Sequence, residues 1–343
     1  MRNQTPYLVY LDFLITIIGA FAIYSTNYIA YTNAAPIFGT IYGIIIVTRG
    51  FIPLLLHSEG LFKALPFVHL FFLFSTITLA LLLNNVIIYL IGISISALLG
   101  IYTGGYIYNL EVSWSKHLGD PSKFFSLISG AEAAAFFIAP ILTYITPNKI
   151  VFLAILSVST ALGSILLLYF ARLSDAEIKP RFFSGDLALI RKAAPLAVLA
   201  GSNWLLQYLW MGMVFELGAR QGISSFFVFI AVELETATYM VIQFIISKRG
   251  IKRLACMRTV SMLIAVYAIV VILFTSLIFV KIDLIIFFLV LLALAVSSSL
   301  LEPLINTLVS FTDRASEIST IVLSFNYIGG GIGYTLSSIL LRI

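Results

Sequence analysis

The chain has 343 residues, of which 61% are hydrophobic and only 10% charged. Soluble domains average about 45–50% apolar and about 25% charged residues, so this composition excludes an ordinary soluble protein, a disordered chain and a disulfide scaffold. The net charge of +5 does not indicate nucleic acid, because the basic residues sit between apolar runs and not along one amphipathic face; loops beside an anionic inner leaflet carry such an excess.

A spanning helix needs about 20 mostly apolar residues. Eleven runs meet that description, near 8–30, 36–56, 65–83, 86–109, 124–145, 149–171, 194–215, 224–247, 255–279, 284–309 and 318–341. They are continuous, not alternating, which excludes a β-barrel. The first follows Arg2, exceeds the length of a signal-peptide core and lacks a small-residue cleavage site, so it is kept as a span. With the N-terminus in the cytoplasm, 15 of the 20 Lys and Arg residues fall on the inner side and 4 on the outer, with Arg49 inside a span; this asymmetry sets the orientation. The longest polar connection, about 172–193, carries both signs of charge, Pro180 and Gly185. It reads as a cytoplasmic linker between an N-terminal bundle of six spans (1–171) and a C-terminal bundle of five (194–343).

The lone Cys256 forms no intramolecular disulfide, and His57, His69 and His117 lack metal-ligand spacing. No zinc-protease, nucleophile-elbow or P-loop pattern occurs. No enzyme, metal or cofactor chemistry is therefore expected, and an ATP-driven pump is disfavoured.

The two halves repeat. Displaced by 194, ISGAEAAAFFIAPIL (128–142) lies on VLSFNYIGGGIGYTL (322–336), matching Glu132 with Asn326, Ala135 with Gly329 and Ala139 with Gly333. Shifts near 190 place HSEGLFKAL (57–65) on SKRGIKRLA (247–255) and Asp12 on Asn203. SKRGIKRL resembles the D-R-x-G-R-R/K loop of the major facilitator superfamily, with Lys248 in place of the usual Asp; Glu59, Gly60 and Lys63 keep a fainter trace. Ser126, Ala135, Ala139 and Pro140 are similar to that family's antiporter spacing, with glycines replaced. The resemblance covers nearly the whole chain and implies an all-α integral membrane fold of two pseudo-symmetric bundles. About eleven helices are expected here, without a clear twelfth: a natural eleven-span variant or a shortened gene product. The resemblance also implies that the fifth and eighth spans meet between the bundles, the second and eleventh meet opposite them, and the first, fourth, seventh and tenth line a central cavity.

An ionisable residue at bilayer depth costs about 2.5–3.5 kcal/mol on insertion scales and usually faces the bundle interior or a wet cavity. Glu132 shares a helical face with Ser122, Ser126 and Ser129. Glu233 and Glu235 are about 200° apart and cannot face one cavity together. Glu302 shares a face with Ser298 and Asn306. These four glutamates are the proton-coupling candidates: two carboxylates brought together share a proton. The alternative for each is a neutral glutamate hydrogen-bonded to a backbone carbonyl or serine, holding two helices together. Arg49 either binds an anionic group or snorkels to the inner interface. Asp12 lies near the inner end of the first span, interfacial or functional. Under the resemblance, Asn203, Gln207, Tyr102, Tyr106 and Asn109 line the substrate cavity together with Glu302, Arg49 being a further candidate there; the alternative is polar contact between helices. The GGGIG cluster (329–333) serves close packing or flexing.

The expected function is a secondary transporter of the plasma membrane, moving a small molecule by alternating access, coupled to protons or another ion, tilted toward export, and working as a monomer in the lipid bilayer. The alternatives are an intramembrane enzyme acting on a lipid-linked substrate and a non-transporting sensor or partner subunit derived from a transporter.

Overall fold

The computed structural model describes residues 4–30, 35–56, 58–83, 86–145, 149–173 and 181–342. Arg2, His57, Lys179 and the middle of the expected linker (174–180) lie outside the described residues. The described chain is helical throughout: α1 (Thr5–Ala30), α2 (Ala35–Leu55), α3 (Glu59–Leu83), α4 (Val86–Ser115), α5 (Pro121–Ile145), α6 (Lys149–Leu173), α7 (Leu187–Met211), α8 (Val214–Arg220), α9 (Ser225–Arg249), α10 (Met257–Ser276), α11 (Leu284–Ser298), α12 (Leu301–Ser310) and α13 (Ala315–Leu340), with a short 3-10 turn at Lys252–Leu254. Each expected apolar run coincides with one helix, except the seventh, which runs from α7 into the start of α8, and the tenth, which is α11 and α12 together. Among the described residues six stretches are long and apolar enough to cross a membrane: 59–79, 121–141, 153–172, 225–249, 257–276 and 284–310. Large apolar side chains on their outer faces, such as Phe71, Ile165 and Ile272, are exposed, as a lipid-facing surface requires. The chain is an all-α, multi-pass membrane protein.

Several boundaries differ from the apolar pattern, three of them for visible reasons. α4 continues past residue 109 to Ser115, because its last turns are buried on all sides: Leu110, Val112 and Trp114 pack in the core beside the buried polar Glu111, Ser113 and Ser115. α7 begins before residue 194, where Asp186 caps it by accepting from the N–H groups of Ala188 (3.0 Å) and Leu189 (3.4 Å). The tenth run breaks at 299–300. Pro303 has no N–H for the carbonyl four residues earlier, and the hydroxyls of Ser297, Ser298 and Ser299 bond carbonyls three residues back, competing with the helix ladder. The freed Ser299 carbonyl is taken by the fully buried Gln243 of α9, whose side-chain N–H donates at 2.6 Å.

Helix pairings follow the internal repeat. α5 packs on α1 as α13 packs on α7; across the halves α5 meets α9 and α2 meets α13. The fifth and eighth runs, and the second and eleventh, therefore meet as the resemblance implies. α13 is wedged between α2 and α7 by backbone contact. A Cβ on Gly329 would stand 2.0 Å from the Gly201 carbonyl oxygen, and one on Gly331 2.5 Å from that of Gly43. The GGGIG cluster thus serves close packing.

One end of the molecule gathers the basic loops. Gly250, at φ +77°, lets the 249–255 turn pass so near Asp120 that a Cβ would stand 2.1 Å from its carboxylate. The Ile251 N–H donates to Ser122 Oγ (2.8 Å) and Lys252 Nζ to the Gly119 carbonyl (2.9 Å). This gives the glycine of SKRGIKRL a physical purpose: the loop clasps the 119–122 segment at the start of α5. Within the linker, Phe182 stacks on Phe62 at 4.3 Å, anchoring the entry to α7 on the first half. Asn109 Nδ2 donates to the carbonyls of Arg181 (2.9 Å) and Ser316 (2.6 Å). Arg314 pairs with Asp186 (2.7 Å) and with Glu317.

Three outcomes are expected. Gly329→Ala forces α13 off α7 and lowers the thermal midpoint of the purified protein, by about 1–3 kcal/mol of stability, whereas Gly119→Ala, with open space around it, leaves the midpoint unchanged. Gln243→Leu orphans the Ser299 carbonyl and costs about 1–3 kcal/mol, measurable by denaturant unfolding in detergent. The third concerns pH. The donated hydrogen bond from Arg314, with those from the Leu189 and Ala188 N–H groups, holds the exposed Asp186 carboxyl below its ordinary range. A depressed folded value means stability that is present above about pH 3.9 and lost as pH falls through the folded value. Asp186→Asn should therefore be less stable than the parent at pH 6, and the difference should close in melts recorded toward pH 3.

Candidate functional site

A cavity of about 250 Å³ lies where α1, α2, α3, α4, α5, α7, α12 and α13 converge. Its walls are built from both halves of the repeat. α4 supplies the longest wall, from Ser96 to Glu111, about 22 Å at 1.5 Å per residue. The helix break places Glu302 in the first turn of α12, and the same short helix presents Asn306. Asn326 and Tyr327 come from α13, two residues beyond the Ser324 carbonyl that approaches Gly50 of α2.

The cavity is polarised. At one end Arg49 donates to the Tyr327 hydroxyl (2.7 Å), and its guanidinium lies 3.8 Å from the centre of the same ring. Gly100 makes room for it: a Cβ there would stand 3.0 Å from the guanidinium and 3.3 Å from His69. His69 Nδ1 shares a hydrogen bond with Thr103 Oγ1 at 2.8 Å, and Trp204 meets Tyr327 edge-on at 5.3 Å. The walls also carry four carboxyl groups, Asp12, Glu111, Glu132 and Glu302, each acting electrostatically on at least one other. Tyr239 of α9 donates to Glu302 Oε2 (3.3 Å), and Tyr108 to Asn306 Oδ1 (2.6 Å). Among the described residues no ion pair joins Arg49 to a carboxylate. No cluster of three or more His, Cys, Asp or Glu among them has metal-binding geometry.

Of the sequence candidates, Glu132, Glu302 and Arg49 come together in this cavity. The others stand elsewhere. Glu233 and Glu235 are buried in α9 outside the lining; Glu235 accepts from Thr236 at 3.3 Å. Tyr102 packs edge-on against Phe62, and Tyr106 stacks near Phe182 at 6.4 Å. Asn109 ties α4 to the 181 backbone and α13 at the end that gathers the basic loops. Asn203 is buried in α7, and Gln207 of the same helix is half-buried; neither lines the cavity. Two residues that sequence reasoning did not place in the site are central to it. Asp12 lies seven residues into α1, and Glu111 falls beyond the apolar run of α4. The repeat held one signal, since it pairs Glu132 with Asn326 and both line the cavity.

No family profile and no curated protein matches the sequence. Solved structures do match in shape. The human organic anion transporter MFSD10 (TETRAN) superposes with a TM-score of 0.68 at 13% identity, over 98% of this chain and 93% of that one. A variant of the E. coli fucose:proton symporter FucP gives 0.64 at 13% identity, over 99% and 96%. FucP in the outward conformation, a major facilitator superfamily transporter, gives 0.63 at 14% identity over the same shares. With near-full coverage on both sides, the chain has the fold of the major facilitator superfamily transporters.

Proposed function

We propose that the protein is a secondary transporter that carries a small solute across the plasma membrane by alternating access, driven by protons. The single observation that carries this reading is the cavity between the repeated halves, which sets four carboxyl groups against one guanidinium at membrane depth. Ionising all four would concentrate negative charge in a medium that solvates it poorly. Two of them therefore stay neutral by holding protons, which they release when one side of the cavity opens to water. Glu132 and Glu302 are the carriers, because they sit on helices from opposite halves and change surroundings as the halves move.

The bundles 1–171 and 194–343 rock about this site, with 172–193 as the flexible join and the N-terminus in the cytoplasm. The broken α11–α12 helix beside the cavity is the kind of discontinuity that transporters place at their binding sites. Polar contacts between the halves, Asn109 and Ser113 with Ser316 and Ser122 with Ile251, would part when the inner side opens. The small-residue spacing of α5 supports export as the direction to test first, and the protein works as a monomer. The likeness to transporter structures supports this reading over an intramembrane enzyme or a transporter-derived sensor.

The test is solute-dependent proton movement in liposomes holding the purified protein, with an imposed pH gradient and a panel of small compounds. Glu132→Gln and Glu302→Gln should each abolish the coupled flux while leaving the thermal midpoint near that of the parent. Flux that survives both substitutions would remove these residues from the path.

A further inference from the structure

The cavity also carries information about what it holds. Three of its lining residues are more than nine-tenths buried and present an oxygen with no hydrogen-bond donor in reach: Asp12 (7% exposed) through Oδ2, Glu111 (4%) through Oε1 and Asn326 (8%) through Oδ1. A buried acceptor without a donor costs about 1–3 kcal/mol, more when charged. Three in one cavity point to donors brought by a ligand. The supply of donors from the protein runs the other way. Arg49 gives one N–H to the Tyr327 hydroxyl and lies over its ring, while its unpartnered Nε stands at the level of Gly100, roughly 16 Å along α4 from Glu111.

Among the described residues no group of three or more His, Cys, Asp or Glu is arranged to hold a metal ion. A drug-sized molecule does not fit either. Ligand pockets run from about 300 to 1,000 Å³, and this one is about 250 Å³.

We propose that the cavity takes a small organic cation with at least two N–H donors, such as a primary ammonium, seated on Asp12, Glu111 and Asn326. The ammonium supplies three donors and one positive charge. It thereby answers the unpartnered oxygens and offsets the surplus of carboxyl groups. The apolar remainder of the ligand lies along Ile107, Ile128 and Leu323. This inference rests on the transport reading for its purpose, but its site can be tested by binding alone.

The experiment is calorimetric titration of the purified full chain in lipid nanodiscs with butylammonium, tetramethylammonium, butanol and butyrate. Butylammonium should bind at least roughly tenfold more tightly than tetramethylammonium, which has the charge but no N–H, and than butanol or butyrate. Asp12→Asn and Glu111→Gln should each weaken it by roughly tenfold or more, the weight of one hydrogen bond to a charged group. Asn326→Ala, which removes no charge, serves if either carboxyl variant fails to fold, and should weaken binding by a smaller factor. Absence of butylammonium binding at millimolar concentration, preference for butyrate, or affinity indifferent to all three substitutions would overturn the proposal. Butylammonium binding without solute movement in liposomes would overturn the transport reading and leave the cation site standing. Transport of an anion with no ammonium binding would do the reverse.

Discussion

Backbone contact at α13 is the constraint on which the site depends. In lipid, helices gain nothing by hiding apolar side chains from one another, since the tails are as apolar as leucine. What draws them together is close packing. α13 meets Gly201 and Gly43 through its own glycines, so it is held by α7 on one side and by α2 on the other. That grip crosses the boundary between the halves and sets the depth of Asn326 and Tyr327. Tyr327 in turn gives Arg49 a hydroxyl and a π face. Arg49, placed in the sequence as either a ligand of anions or a snorkelling side chain, makes no ion pair among the described residues; its guanidinium meets an aromatic ring from the other half.

A second constraint shapes the acidic end. A proline inside a buried helix frees a carbonyl that water cannot reach. Here Gln243 satisfies it, and the discontinuity turns the tenth run into two pieces. Without the break, Glu302 and Asn306 would continue the line of α11. With it, both residues open α12 beside the cavity. Ladder repair by a neighbouring helix and exposure of a carboxyl group are thus parts of one local arrangement.

Much of the architecture was readable from apolar run lengths, because bilayer thickness sets helix length directly. The pairings of α5 with α9 and α2 with α13 followed from the family resemblance. The site was less readable, for three physical reasons. Hydropathy ends a span where polar residues begin, so Glu111, on the buried but polar last turns of α4, fell outside it. Periodicity marks which residues share a face but not which neighbour that face meets, so Glu233 and Glu235 drew attention while Tyr239 of the same helix reaches Glu302. Cavity membership was carried over span by span, whereas the lining depends on depth and rotation within each helix. Tyr102, Tyr106 and Asn109 are on a cavity-lining helix yet turn to Phe62, Phe182 and Ser316.

The wedge position of α13 bears on how the protein is made. Synthesis runs from the N-terminus, and domains generally assemble as they emerge. Phe62 and Tyr106 exist before Phe182 appears, so the start of the second half can dock as soon as it leaves the ribosome. α13 is the last described helix to arrive, yet it occupies the gap between α2 and α7. Until then the glycine faces of both partners lie open, and Asn109 holds only one of its two carbonyls. The molecule waits in the membrane as a clasp without its pin, which makes that interval the point at which quality control has the most exposed surface to recognise.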